Sequence, residues 1–168
     1  FKQSCLRGGW RFPRILLNWV LPSKLPKNDI KLVWEASRLS LAYTLSRQYV
    51  YTRDERWAES FWQMVDAWVE QNPVNQTVAW ECKQEVAFRL MAILWGVFST
   101  LDSQAATENR LAAVRLLVWQ FGKRIALTPE YAISQENNHA LSEAAGLWTI
   151  GLIFPEFAEA KRWKATGK

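Results

Sequence analysis

The chain has 168 residues, 49% of them hydrophobic, with 21 Lys and Arg against 16 Asp and Glu for a net charge of +5. That length and apolar content support one sizeable core and exclude a disordered chain. The charge is dispersed and too thin for a dense nucleic-acid footprint, so no nucleic-acid partner is expected. No run reaches the roughly 18 uninterrupted apolar residues that a membrane span needs, and a soluble domain without a span is expected. Cys5 and Cys82 stand far apart with neither metal-ligand nor disulfide-framework spacing, and no metal or cofactor is expected.

Residues 1–28 carry Gly8-Gly9, Pro13, Pro22 and Pro26, with apolar residues clustered only at Ile15-Leu16-Leu17 and Trp19-Val20-Leu21. Such punctuation predicts an extended, wrapping leader. Phe1 is not Met, and no charged-then-apolar signal with a small-residue cleavage site follows, so the natural start is expected to be missing. Residues 29–168 are expected to form the folded domain.

Asp29 is the expected cap of a first helix, with Leu32, Ala36, Leu39, Tyr43 and Leu45 through Tyr49 at helical spacing and an end near Tyr51. Thr52-Arg53-Asp54 resets the chain. Trp57, Phe61, Val65, Trp68 and Val69 then mark a second helix that stops at Asn72-Pro73. A third starts near Trp80 or Glu81 and places Val86, Leu90, Ile93, Leu94 and Val97 on one side before fading at Ser99. The fourth, from about Ala105 to Leu127, lines up Leu111, Val114, Leu117, Val118, Phe121 and Ile125. A fifth begins near Asn138 with a stripe of Leu141, Ala145, Trp148 and Leu152, and Pro155 at a first-turn position opens a sixth from Glu156 to about Ala165.

No segment alternates as a strand does, so the class is all-α. Antiparallel helix pairs of this length fit a bundle, a tetratricopeptide-like solenoid or a ring of hairpins. The irregular intervals disfavour a strict solenoid. Of the tryptophans, Trp57, Trp68, Trp95, Trp119 and Trp148 fall among helix-face apolar residues and are expected in the core. Trp80, in a linker, and Trp34, beside Glu35 and Arg38, are the expected cleft aromatics.

Chemistry concentrates in Asn137-Asn138-His139, which carries the only histidine and opens the fifth helix. Free N–H groups at a helix start favour an anion such as a carboxylate. Asn138 is the candidate donor to that carboxylate, and His139 can donate as imidazolium or accept a proton as imidazole. Glu143, four residues beyond His139, shares its helix face and can orient the ring. Capping by Asn137 and Asn138 explains the same residues without a ligand. Arg38 and Arg89, each following a glutamate (Glu35 and Glu85), can present forks to acidic groups or close intrahelical ion pairs.

Three segments taken together resemble the N-terminal helical domain of the heparinase II/III-like polysaccharide lyases. They are Val33-Trp34-Glu35-Ala36-Ser37-Arg38 with Leu41-Ala42 and Thr52-Arg53-Asp54-Glu55-Arg56-Trp57-Ala58; Asn72-Pro73 with Trp80 and Glu85-Val86-Ala87-Phe88-Arg89; and Asn137-Asn138-His139 with Glu143, Gly146-Leu147, Phe154-Pro155-Glu156, Ala160 and Trp163. The resemblance runs from about Asn28 to Lys168. It implies an incomplete α/α toroid of antiparallel helical hairpins whose inner ends frame a cleft, followed in the family by a β-sandwich.

The resemblance further implies β-elimination on a uronate-containing acidic polysaccharide: heparin- or heparan-like, alginate, or a bacterial exopolysaccharide. Asn138 and His139 take the catalytic places; Asn137, Glu143, Arg38, Glu35, Trp80, Glu85, Arg89 and Trp34 take substrate-binding ones. The family's catalytic tyrosine lies in a later segment combining Asp-Gly with Ser-x-x-Tyr, which this sequence does not contain, and this stretch alone is expected to be inactive. By analogy the protein is bacterial and periplasmic or secreted. The sequence departs from the family at Thr77-Val78-Ala79-Trp80, where Gly-x-Asn-Trp is usual, and at Leu39-Ser40, where His-Gln or Phe-Gln is usual. Those departures keep two other functions open: a non-catalytic glycan-binding toroid, and a helical-hairpin scaffold for protein partners.

Overall fold

The computed structural model describes residues 30–127 and 138–168, so the expected leader at 1–28 lies outside the described residues. Among the described residues seven α-helices follow in order: α1 Ile30–Ala36, α2 Leu41–Thr52, α3 Glu55–Gln71, α4 Lys83–Ser99, α5 Glu108–Ile125, α6 Asn138–Ile153 and α7 Ala160–Thr166. A 3-10 turn, Val78–Trp80, precedes α4. No strand occurs among the described residues, as the sequence pattern requires.

The expected first helix is two helices. Between them Leu39 takes a left-handed backbone with φ 56°, a conformation that costs a non-glycine residue about 1–2 kcal/mol. The Leu39 side chain is buried, and its apolar burial offsets that strain. Periodicity missed the break because Leu39 keeps helical spacing on both sides. Downstream the punctuation reads as expected. Arg53 ends α2 in a left-handed cap whose N–H donates to the Tyr49 carbonyl, and the Asp54 carboxylate accepts from the Arg56 N–H to start α3. Asn72 closes α3, its side-chain amide donating to the Trp68 carbonyl at 2.9 Å.

Contact order along the chain sets the direction of each helix. Arg38 meets Glu85, Tyr43 meets Trp95 and Arg53 meets Asp102, so α2 and α4 run the same way. Lys83 meets Glu143, and Gly146 lies beside Ala87 and Leu90, so α6 runs with them. Helix α3 returns against α4, with Phe61 packed on Gly96 and Trp68 near Trp80. Helix α7 returns against α6, with Gly151 on Ala160 and Gly167 on Ala144 and Trp148. The result is one layer of α2, α4 and α6 backed by a second of α3, α5 and α7, a row of helical hairpins.

Helix α4 is the centre, buried on nearly every side from Gln84 to Val97. Glycines allow the close approach: a Cβ on Gly96 would enter the Phe61 ring and one on Gly122 the Trp163 ring. Trp68, Trp80 and Phe121 form a mutually tilted triad with centroids 5.1 to 5.9 Å apart, joining the 3-10 turn to α3 and α5.

Three expectations about faces need correction. In α6 the Leu141, Ala145, Trp148 and Leu152 stripe faces out, while Glu143, Gly146, Leu147, Ile150 and Gly151 are buried, because small residues admit α4 and α7 on that side. Trp95 is 55% exposed and Trp148 39%, not core, whereas Trp57 and Trp119 are half-buried and Trp68 is buried. The sixth helix begins at Ala160 rather than Glu156, since Phe154 and Phe157 carbonyls accept turn-type bonds from Phe157 and Ala160.

Candidate functional site

Because α2, α4 and α6 run in one direction, their N-terminal ends share one rim. The break after α1 supplies its first part. An uninterrupted helix would commit the Ser37 carbonyl to its own ladder; here it accepts 2.6 Å from Arg89 Nε, while Arg89 Nη1 donates to the Ala79 carbonyl at 3.2 Å. Arg89 is fully buried with its guanidinium 4.4 Å from the Trp68 ring centre. Burial lowers its pKa to about 10, against the opposing pull of Glu85, and it stays charged at neutral pH.

Arg38 forks onto Glu85 with Nε and Nη2 at 2.6 and 2.7 Å. Those bonds hold the Arg38 pKa above its ordinary value despite partial burial. The expected alternatives for these arginines were intrahelical pairs or free forks; neither is what forms. The glutamate of one segment serves the arginine of the other. Glu85, 3% exposed with both oxygens bonded to Arg38, and Arg89, bonded to two carbonyls, are corrected from ligand contacts to supports of the rim. Arg38, part-exposed and lying over the Phe88 ring, is the cation of this group that reaches the surface.

Asn138 begins α6 and is exposed; His139 is half-buried. Ser142 Oγ bonds back to the carbonyls of Asn138 and His139, fixing this first turn. Glu143 is 5% exposed and faces Lys83 Nζ at 3.1 Å, a charge contact rather than a well-aligned hydrogen bond at that oxygen. Its expected ligand contact is corrected: the carboxylate points into the α4 and α6 contact. Asn137 lies outside the described residues.

Trp80 is corrected from a cleft aromatic to core, 1% exposed, because its ring completes the Trp68 and Phe121 triad and its Nε1 donates to the Asn72 carbonyl. Trp34 remains half-exposed, its Nε1 donating 2.9 Å to the Val78 carbonyl, and Glu35 is exposed. An open cavity of about 200 Å³ adjoins this turn, lined by Asn75 to Val78, Trp80, Glu81 and Arg124. Arg124 is pinned there by bonds to the Trp80 and Glu81 carbonyls. The cavity is built from the segment where the sequence departs from Gly-x-Asn-Trp.

Two contributors escaped the sequence reading. Ser37 acts through its backbone carbonyl, which leaves no side-chain signal. Lys83 had one: a cation at the first residue of a helix, where the dipole disfavours it.

The hairpin row is an arc of an α/α toroid, the class that fold and rim define together. The family model described as heparinase II/III N-terminus matches residues 16–168, and the chain belongs to that family. A heparin-sulfate lyase of Pedobacter heparinus is 26% identical over 156 residues, covering 90% of this chain and 22% of the relative. One of Bacteroides thetaiotaomicron is 24% identical over 127 residues, 73% of this chain and 17% of the relative. Among solved structures, the heparan sulfate lyase HepC of Pedobacter heparinus superposes with TM-score 0.73 at 24% identity, over 89% of this chain and 23% of that one. A heparinase III gene product gives TM-score 0.71 at 24% identity, over 86% and 25% respectively. The chain therefore spans under a quarter of the curated relatives it matches.

Proposed function

We infer that this domain forms one wall of a cleft in which a uronate-containing acidic polysaccharide is cleaved by β-elimination. The observation that carries the reading is the shared rim, the end of the layer at which the N-termini of α2, α4 and α6 lie together with Arg38, Asn138 and His139. Partial positive charge at those ends and the Arg38 guanidinium favour a polyanion over a neutral glycan. The relatives' names favour a heparin- or heparan-type chain; alginate and bacterial exopolysaccharide are the other substrates to test. A periplasmic or secreted location suits such a substrate.

In the elimination a base removes the proton on the carbon next to the carboxylate, the C–O bond to the neighbouring sugar breaks, a ring double bond forms, and the leaving oxygen takes a proton. Negative charge grows on the carboxyl oxygens as the first proton departs. Asn138, exposed on the first turn of α6, donates to that charge without bringing charge of its own. His139 stands beside it to move a proton or to neutralise the carboxyl. The base itself is assigned to the part of the protein beyond this helical arc.

The test is ultraviolet absorbance of the unsaturated uronate formed by the intact protein on heparan-type, alginate and exopolysaccharide substrates. Absence of product from all three sinks the catalytic reading. Binding without product favours instead a glycan-binding toroid.

A second reading, a scaffold for protein contacts, is favoured by one observation. Large apolar side chains stay exposed on each helix of the first layer: Tyr43 on α2, Trp95 and Phe98 on α4, and Leu141, Trp148 and Leu152 on α6. W95E and W148E should leave glycan turnover intact while abolishing any association that uses these side chains.

A further inference from the structure

Lys83 breaks a rule of helix construction. It is the first residue of α4, where unsatisfied N–H groups and the helix dipole repel a cation, and its side chain is 11% exposed, where desolvation penalises the charge again. Glu143, its partner at 3.1 Å, has a side chain 7% exposed in the middle of the contact between α4 and α6. Apolar residues at both positions would pack this contact with no charge to bury. A buried ion pair is weak evidence for stability, and its best-attested use is to fix the register of one helix on another.

Register matters here because of what α6 begins with. One turn above the pair, Asn138 and His139 open α6, and Ser142 beside Glu143 ties their carbonyls back to the helix. The contact itself is otherwise permissive. Around it α6 meets α4 through Gly146 against Ala87 and Leu90, small and aliphatic surfaces along which a helix can slide or rotate. The charges supply the direction that these surfaces lack.

We propose that Lys83 and Glu143 are positioning residues: their pair locks the rotation and height of α6 on α4 and so places Asn138 and His139 at the rim. The proposal rests on the reading of the rim as a glycan site, and it assigns Lys83 a role through α6 rather than a contact with substrate.

The experiment compares K83M, E143Q and the conservative K83R with the parent sequence by thermal midpoint, by the imidazole NMR signals and by steady-state kinetics of the intact protein on heparan-type glycan. His139 is the only histidine in these 168 residues, and an H139Q variant of the intact protein identifies its ring resonances by their loss. For K83M and E143Q the expected result is at least a tenfold fall in kcat with KM within twofold, together with displaced His139 resonances; K83R should recover most of the lost kcat. A lowered thermal midpoint with unchanged kcat and unchanged His139 signals would mean a purely structural pair and overturns the proposal. If K83M does not fold, E143Q and K83R carry the same comparison. Should the parent sequence form no product, the lyase reading fails, yet the His139 resonances still decide whether the pair positions this turn.

Discussion

Replacing Arg38 with Met tests how the rim is held. The Glu85 side chain is 4% exposed, and both of its oxygens accept from Arg38 at 2.6 and 2.7 Å. Removing Arg38 leaves a carboxylate in the protein with no ligating guanidinium, a change that costs about 3–5 kcal/mol when the pair is fully buried. Arg38 is itself 36% exposed, so water can enter the vacated space, and the expectation moves to the lower end, about 3 kcal/mol. The reciprocal change is milder. E85Q strands an arginine that can swing into solvent, at about 1–1.5 kcal/mol for the lost bonds. For a chain of this size, 1 kcal/mol shifts the thermal midpoint by about 2–4 °C, so R38M should fall about 6–12 °C and E85Q about a third to a half as far. Far-ultraviolet circular dichroism on both variants and on the double variant measures the coupling directly. Equal losses from R38M and E85Q, or a loss under about 1 kcal/mol for R38M, would refute the claim that Glu85 depends on this partner.

Asn138→Ala should lower kcat by about 10²–10³ with little change in KM if the amide acts on developing charge, as steady-state kinetics will read out. Gly96→Ala drives a methyl into the Phe61 ring and should cost about 1–3 kcal/mol in urea unfolding, with F61L in the same chain recovering part of it. Arg110 forks onto Glu59 and holds its carboxyl below the ordinary range. A depressed folded-state pKa adds stability at neutral pH that is lost as pH falls through the carboxylate range toward the folded value. R110M should therefore lose most stability against the parent at pH 7 and less once Glu59 is protonated in both, where the bond to the Ala105 carbonyl still separates them, in thermal melts across that range.

Much of the fold was legible because its signals are local. Asp54 and Asn72-Pro73 punctuate the chain where caps and breaks belong, and the α5 stripe from Val114 to Ile125 is buried as its spacing requires. What failed were faces decided by distant packing. Leu141, Ala145, Trp148 and Leu152 satisfy helical periodicity as well as any core stripe, yet the side that packs is the one carrying Gly146 and Gly151, since closeness of approach won over side-chain volume. Trp80 looked available in a linker and instead fills the space between Trp68 and Phe121. At the rim, sequence named Arg38, Glu85 and Arg89 as forks for acidic groups or as pairs along the helix; the break at Leu39, invisible to periodicity, turns Arg38 and the Ser37 carbonyl across to α4.

The two ends of the helix row handle charge differently, and the difference bears on where function resides. At the end away from the rim, the pairs Arg53 with Asp102 and Arg56 with Asp54 are largely in water, where they contribute little and cost little. At the rim, Arg89, Glu85, Lys83 and Glu143 are drawn inside. Folding alone gives no reason to concentrate desolvated charge at one end of a helical layer, because apolar residues would close the same contacts at lower cost. Departures from local consistency cluster at sites that must hold a geometry for another purpose. The surface directly above these charges is the one that presents Arg38, Asn138 and His139. If charge-neutral replacements of the buried pairs stabilise the chain and still leave glycan turnover intact, that link between internal cost and the rim is broken.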